Sequence, residues 1–188
     1  MTAGGPTTEW PFAVPAARVG AEPLPVADAA AAGAREALAR RFGILAIDAL
    51  QAEVTLRRLT DGDIAATAHL AARLSQACVV TLEPVAETVD VTVAGRFSEQ
   101  APEAAHAPGG ESVVTIDPDD ETDEPEPIRG GMLDLGEWLA QQLSLAMDPY
   151  PRAPGAALDP ALGGPEAEEP PTHRPFARLA RLRKDGDG

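Results

Sequence analysis

The chain has 188 residues, a hydrophobic fraction of 44% dominated by alanine, 4% aromatics, and a formal net charge of −15 from 30 acidic and 15 basic residues. That length suits one domain with a modest core, and the charge disfavours extensive direct binding of RNA or DNA, which needs lysine and arginine to displace counterions. A single cysteine, Cys78, excludes an intramolecular disulfide and a cysteine-based zinc site.

Proline (19) and glycine (17) cluster at the N-terminus, around 100–131 and over 149–175, and mark linkers. The expected organisation is a proline-rich N-terminal segment over 1–27, one α+β domain over 28–150, and a linker with a basic helix over 151–188. Residues 1–15 lack the basic start and apolar run of a secretion signal, and no stretch approaches the roughly 20 apolar residues of a membrane span. Cytoplasmic residence without membrane contact is the expectation.

Glu9 to Val14 is a short aromatic and aliphatic patch, read as an edge strand because Pro11 argues against a central position. Asp28 is placed to cap a helix over about 29–42, rich in alanine, leucine and arginine and stopped by Gly43. From Leu50 the period changes to two. Leu50, Ala52, Val54 and Leu56 alternate with Gln51, Glu53, Thr55 and Arg57, the pattern of a strand with one wet face.

Asp61-Gly62 signals a hairpin turn, and the return run places Ala68, Leu70, Ala72 and Leu74 on one face, although its alanines also tolerate helix. In the third run Cys78, Val80 and Leu82 are even-numbered, whereas Val85, Val89, Val91 and Val93 are odd. A strand cannot exchange faces without an extra residue or a turn, so Pro84 marks a bulge or bend, giving two strands or one bent strand that ends near Phe97.

Residues 99–127 hold ten acidic residues and no lysine or arginine, so a mobile acidic loop is expected, with Val113 to Ile116 as a short strand within it. Asp134 followed by Glu137 has capping-box spacing, predicting a helix over 134–147 that buries Leu135, Leu139, Leu143 and Ala146. Asp148-Pro149-Tyr150-Pro151 ends it. After a proline-rich linker, Phe176, Leu179 and Leu182 recur every three residues beneath Arg174, Arg178, Arg181, Arg183 and Lys184, a short basic amphipathic helix. The fold expected is therefore an antiparallel sheet of four or five strands, covered on one face by the two main helices.

The order of these motifs resembles a known family. Gln76 to Val85, with Cys78, Leu82, Glu83 and Pro84, is followed by an acidic stretch and by Asp134-Leu135-Gly136-Glu137 opening a helix. That helix ends in Leu145 to Pro151 with Asp148-Pro149, and the chain closes on Arg174-Pro175-Phe176-Ala177-Arg178-Leu179, with Arg181 beyond. Over roughly 45–184 this is similar to the YceD family, the large ribosomal RNA subunit accumulation proteins, in particular its alphaproteobacterial members.

The resemblance implies a role in accumulation or processing of large-subunit (23S) ribosomal RNA, without a molecular mechanism. Many relatives carry Cys-x-x-Cys where this chain has Cys78-Val79-Val80-Thr81, so a zinc knuckle does not carry over.

Other chemistry finds little footing. Cys78, on what reads as an apolar strand face, behaves as a small hydrophobe. The run from Asp117 to Glu124 lacks the glycine and regular alternation of a calcium loop. Capping already explains Asp134 and Glu137, and His69, His106 and His173 lack ligand spacing. No catalytic, cofactor or metal residue is assigned.

The basic C-terminal helix either touches ribosomal RNA weakly or docks its apolar stripe on the sheet. The function expected is a non-enzymatic accessory factor in ribosome biogenesis whose direct partner is a basic ribosomal or ribosome-assembly protein. The competing readings are an RNA-processing enzyme using carboxylates and a metal, and a protein-binding module unrelated to ribosomes.

Overall fold

A computed structural model describes residues 8–101 and 125–157. Those up to Ala153 belong to one compact unit, and 154–157 open a second. In chain order the elements are β1 (Ala13–Pro15), a 3-10 turn (Ala16–Arg18), β2 (Leu24–Ala29), α1 (Ala32–Phe42), β3 (Ala46–Arg58), β4 (Ile64–Ala77), β5 (Pro84–Ser98), β6 (Glu126–Pro127), β7 (Met132–Asp134) and α2 (Leu135–Ala146).

The main sheet runs β2-β3-β4-β5-β6, and β1 pairs with β7 in a separate two-stranded sheet. The α+β class holds, but the main sheet is mixed. β6 lies parallel to the end of β5, with Phe97 opposite Glu126 and Ser98 opposite Pro127, while the other pairings are antiparallel.

The alternation read from Leu50 onward is the framework of the core. Leu50, Ala52, Val54 and Leu56 on β3 are buried, and so are Ala66, Ala68, Leu70 and Ala72 on β4. Register places Leu50 beside Ala72, Ala52 beside Leu70, Val54 beside Ala68 and Leu56 beside Ala66. Most rows thus join a large side chain to a small one, and α1 packs on β3 and α2 on β4 and β5. The alanines of β4 are strand because their neighbours on both sides are strands, a tertiary context that overrides helix propensity.

The N-terminal stretch joins this core more closely than its prolines suggest. Trp10 is 1% exposed, with its indole N–H donating to the Asp28 carboxylate at 2.7 Å. Asp28 therefore sits in β2 and is not the cap of α1, which starts after Ala31 with no side-chain cap. Pro25 is tolerated in β2 because that strand is the sheet edge. The strand expected over Glu9–Val14 is shifted to Ala13–Pro15, leaving Trp10 and Phe12 as core anchors with ring centroids 5.9 Å apart.

Gly43 ends α1 with φ 68°, a left-handed geometry that favours glycine. The Asp61-Gly62 turn closes the β3–β4 hairpin, with Gly62 at φ 98° and the Asp63 N–H donating to the Asp61 carboxylate. Arg96 on β5 holds both aspartates, each at 2.6 Å.

The Val113–Ile116 strand and the C-terminal helix expected from sequence lie outside the described residues, as does most of the acidic 99–127 stretch. At the ends of that stretch, Glu99 and Gln100 follow β5 directly and Glu126–Pro127 form β6.

Candidate functional site: a cysteine knuckle and the strap that holds it

The change of phase after Leu82 is a complete hairpin. β4 ends at Ala77, residues 78–83 turn, and β5 begins at Pro84 with Ala77 opposite it. No bulge or bent strand is needed, since the chain reverses between the two apolar series. Cys78 accordingly sits at the mouth of a turn, which corrects its placement on a strand face. The Cys78 N–H donates to the Glu83 carbonyl at 2.8 Å and the Leu82 N–H to the Cys78 carbonyl at 2.9 Å, closing the loop.

The thiol is enclosed by main-chain donors. Sγ accepts from the N–H groups of Val80 and Thr81 at 3.4 Å and of Ala153 at 3.3 Å, and the residue is 0% exposed. These donors stabilise the thiolate: Ala153 foremost, then Thr81 through its side chain and its N–H, lower the thiol from 9.0 to about 6 against the opposing effect of desolvation. The Thr81 hydroxyl also lies 3.5 Å from the Glu83 carboxylate. Its single proton serves one acceptor at a time.

Two N–H groups on one sulfur, from the second and third residues beyond it, shape a knuckle, but Thr81 supplies no second thiolate. Among the described residues no three His, Cys, Asp or Glu side chains converge on a point suited to a metal ion.

The third donor to the sulfur comes from the segment after α2. Residues 148–153 run across the β4–β5 hairpin as a strap. The Gln76 amide donates to the Asp148 carbonyl at 3.0 Å and to the Glu87 carboxylate at 2.7 Å, while the Asp148 N–H donates to Glu87 at 2.9 Å. The Val79 N–H donates to the Pro151 carbonyl at 2.9 Å. The Asp148 carboxylate accepts from the Tyr150 N–H at 2.9 Å, which bends the chain onto the hairpin. Two motifs that are far apart in sequence, Gln76–Val85 and Leu145–Pro151, thereby become one structure.

The other candidate residues divide clearly. Asp134 caps α2, with its carboxylate accepting from the Glu137 N–H at 3.0 Å and from the Thr8 hydroxyl at 2.6 Å. Glu137 does not reach back to the cap. It takes a two-pronged bond from Arg41 of α1 at 2.7 and 2.6 Å, and Arg41 also bridges to Glu9 at 3.1 Å. That guanidinium holds the Glu137 carboxyl below its usual range. Both acids therefore serve architecture, tying α1, α2 and the N-terminal segment together.

Leu135 is buried, whereas Leu82 is 77% exposed with a left-handed φ of 62°. Glu83, Asp148 and Pro149 face solvent, and Pro84 starts β5. Arg174, Pro175, Phe176, Arg178 and Arg181 lie outside the described residues.

Gln76 and Ala153 are the participants that sequence reasoning passes over. Gln76 occupies a core-facing position of β4, and a glutamine in an otherwise apolar register is the one signal that marks it. Ala153 acts through its backbone and leaves no trace in side-chain pattern.

Neither a curated protein nor a solved structure matches the chain. A family model does match, over residues 66–183, from near the start of β4 through the knuckle, α2 and the strap to the C-terminal basic stretch. Its description is "Large ribosomal RNA subunit accumulation protein YceD". With well over half the chain inside that match, knuckle and strap included, this protein belongs to the YceD family of large ribosomal RNA subunit accumulation proteins.

Proposed function

We propose that the protein is a non-catalytic accessory factor of ribosome biogenesis, resident in the cytoplasm, that supports accumulation or processing of large-subunit ribosomal RNA by binding a basic ribosomal or assembly protein. The observation that carries the reading is membership of the YceD family in a chain of net charge −15. A field of that sign attracts basic proteins, which ribosome assembly supplies in abundance, and repels phosphate.

The charge is unevenly placed. Residues 8–101 and 125–157 hold 16 of the 30 acidic and 10 of the 15 basic residues, so most of the net charge lies in the remaining segments. Of the arginines in the body, Arg35, Arg41, Arg58 and Arg96 are occupied by carbonyls or carboxylates of the fold. Arg174, Arg178 and Arg181 offer a weak, salt-sensitive contact to ribosomal RNA that supplements the protein contact.

The test is depletion of the protein in its host. The ratio of large- to small-subunit ribosomal RNA should fall, with precursor RNA accumulating or being lost. An unchanged ratio refutes the reading, and cleavage of precursor RNA by the purified protein with Mg²⁺ would replace it with an enzymatic one.

A further inference from the structure

Among the described residues, the large apolar side chains most exposed to solvent are Leu45, Val79, Leu82, Met132, Leu145 and Tyr150. All but Met132 gather at one end of the main sheet. Val79 and Leu82 are on the knuckle loop, and Tyr150 is on the strap beside Pro151, whose carbonyl accepts from Val79. Leu145 lies three residues before Asp148, which is fastened to Gln76 and Glu87. The Leu45 N–H donates to the Ser75 carbonyl near the end of β4.

This is not how a solvent-facing turn is ordinarily built. Glycine, asparagine, aspartate and serine dominate such turns because they tolerate left-handed backbone and water. Here Leu82 takes the left-handed position with φ 62° and 77% of its surface exposed, and Tyr150 is 71% exposed. A glycine at 82 would relieve both disadvantages, so a leucine there is explained by something that covers it.

The electrostatic rim selects the occupant. Glu83, Glu87 and Asp148 border the loop and strap, and Arg152 is the one cation on residues 78–83 and 148–153. The same face of a second copy would set like charge against like charge, and an RNA backbone would bring phosphate to carboxylates. A peptide segment with apolar side chains spaced among lysines and arginines meets both the surface and its rim.

We infer that the knuckle loop and strap form a docking surface, centred on Val79, Leu82 and Tyr150, for a basic amphipathic segment of a large-subunit ribosomal protein. The inference rests on the functional reading above and names the surface through which it operates.

The test places a photo-crosslinking amino acid in the full chain at position 82, 150 or, as control, 67 on the solvent face of β4. The probes are proteins extracted from purified large ribosomal subunits, the extracted ribosomal RNA, and the chain alone. Positions 82 and 150 should crosslink a basic subunit protein at least tenfold more than position 67. Raising salt, or the Leu82→Gly exchange in the variant crosslinked at 150, should reduce that yield several-fold. Leu82→Gly relaxes the backbone while removing the apolar contact, so loss of binding with undiminished thermal stability cannot be attributed to misfolding.

Equal yields at all three positions, or crosslinks only to RNA or only between copies, overturn the inference. In cells depleted of the protein, wild type should restore large-subunit RNA and the Leu82→Asp/Tyr150→Asp variant should not. Full restoration by a stably folded double variant sinks the docking surface and leaves the functional reading standing, whereas depletion without effect on RNA sinks the functional reading itself.

Discussion

The main-chain N–H of Asp148 and the carboxylate of Glu87, 61 residues apart in sequence, meet at 2.9 Å and lock the strap to the hairpin. The same carboxylate receives the buried Gln76 amide at 2.7 Å. Glu87→Ala removes an acceptor from both donors at once and should cost about 1–3 kcal/mol, the range for a buried polar group left short of a partner. A lower urea midpoint at unchanged slope checks this. Faster hydrogen exchange at the Val79 and Ala153 amides should accompany it, because the strap carries both the Pro151 carbonyl that accepts from Val79 and the Ala153 N–H that donates to the Cys78 sulfur.

The thiol of Cys78 gives the fold a pH dependence of its own. Its folded-state value lies below the unfolded one, so the stabilisation is complete above the ordinary thiol value of 9.0 and is lost as pH falls through about 6. Absorbance of the thiolate near 240 nm should titrate near pH 6 in the folded protein and near 9 in denaturant. The difference in urea midpoint between wild type and Cys78→Ala should widen as pH rises across that window. A folded-state titration close to 9 would contradict the donor geometry.

Two glycines are close-approach sites. A Cβ on Gly136 would run into the Trp10 carbonyl, because the Gly136 N–H reaches the Phe12 carbonyl at 2.9 Å and brings the two backbones together. A Cβ on Gly95 would meet the Trp138 ring at 2.8 Å. Gly95→Ala should cost about 1–3 kcal/mol as overpacking. Gly136→Ala should cost more, since backbone yields less than a ring. Thermal unfolding followed by tryptophan fluorescence ranks the two variants.

At the start of α2, Asp134→Ala should destabilise by about 1 kcal/mol through loss of the cap. Arg41→Ala should cost about 1 kcal/mol at most, since both partners are partly solvated, and its cost should shrink in high salt. Glu137, whose value is lowered by Arg41, contributes stability that is present above the ordinary carboxyl range and lost as pH falls through its depressed value. The cost of Glu137→Gln should therefore vanish in strong acid, as unfolding measured from neutral pH downward will show.

The β3–β4 hairpin and α2 could be read from the chain because local rules determine them. Period-two alternation, the Asp61-Gly62 turn and the Asp134 cap all agree with the tertiary structure. What escaped reading depends on distance or on backbone. β2 was hidden by Pro23 and Pro25, which an edge strand tolerates. Asp28 has the chemistry of a cap and was recruited by Trp10 instead. The apolar residues of 78–83 imitate strand while forming a turn, and only pairing with β5 resolves them. The surroundings of Cys78 depend on Ala153, 75 residues away, through an amide that every residue but proline possesses. The parallel step to β6 rests on two residue pairs and leaves no periodicity to detect.

The chain leaves the main sheet at Ser98 and re-enters it at Glu126–Pro127 alongside that exit, with the Ile128 N–H donating to the Ser98 carbonyl at 3.0 Å. Departure and return are clamped as neighbours, so the body is indifferent to how much polypeptide is spliced between them. Each doubling of such an excursion costs only about 0.6 kcal/mol in closure entropy. A fluorescent or affinity module grafted there should be carried as cargo while the knuckle, at the opposite end of β5, goes on working undisturbed.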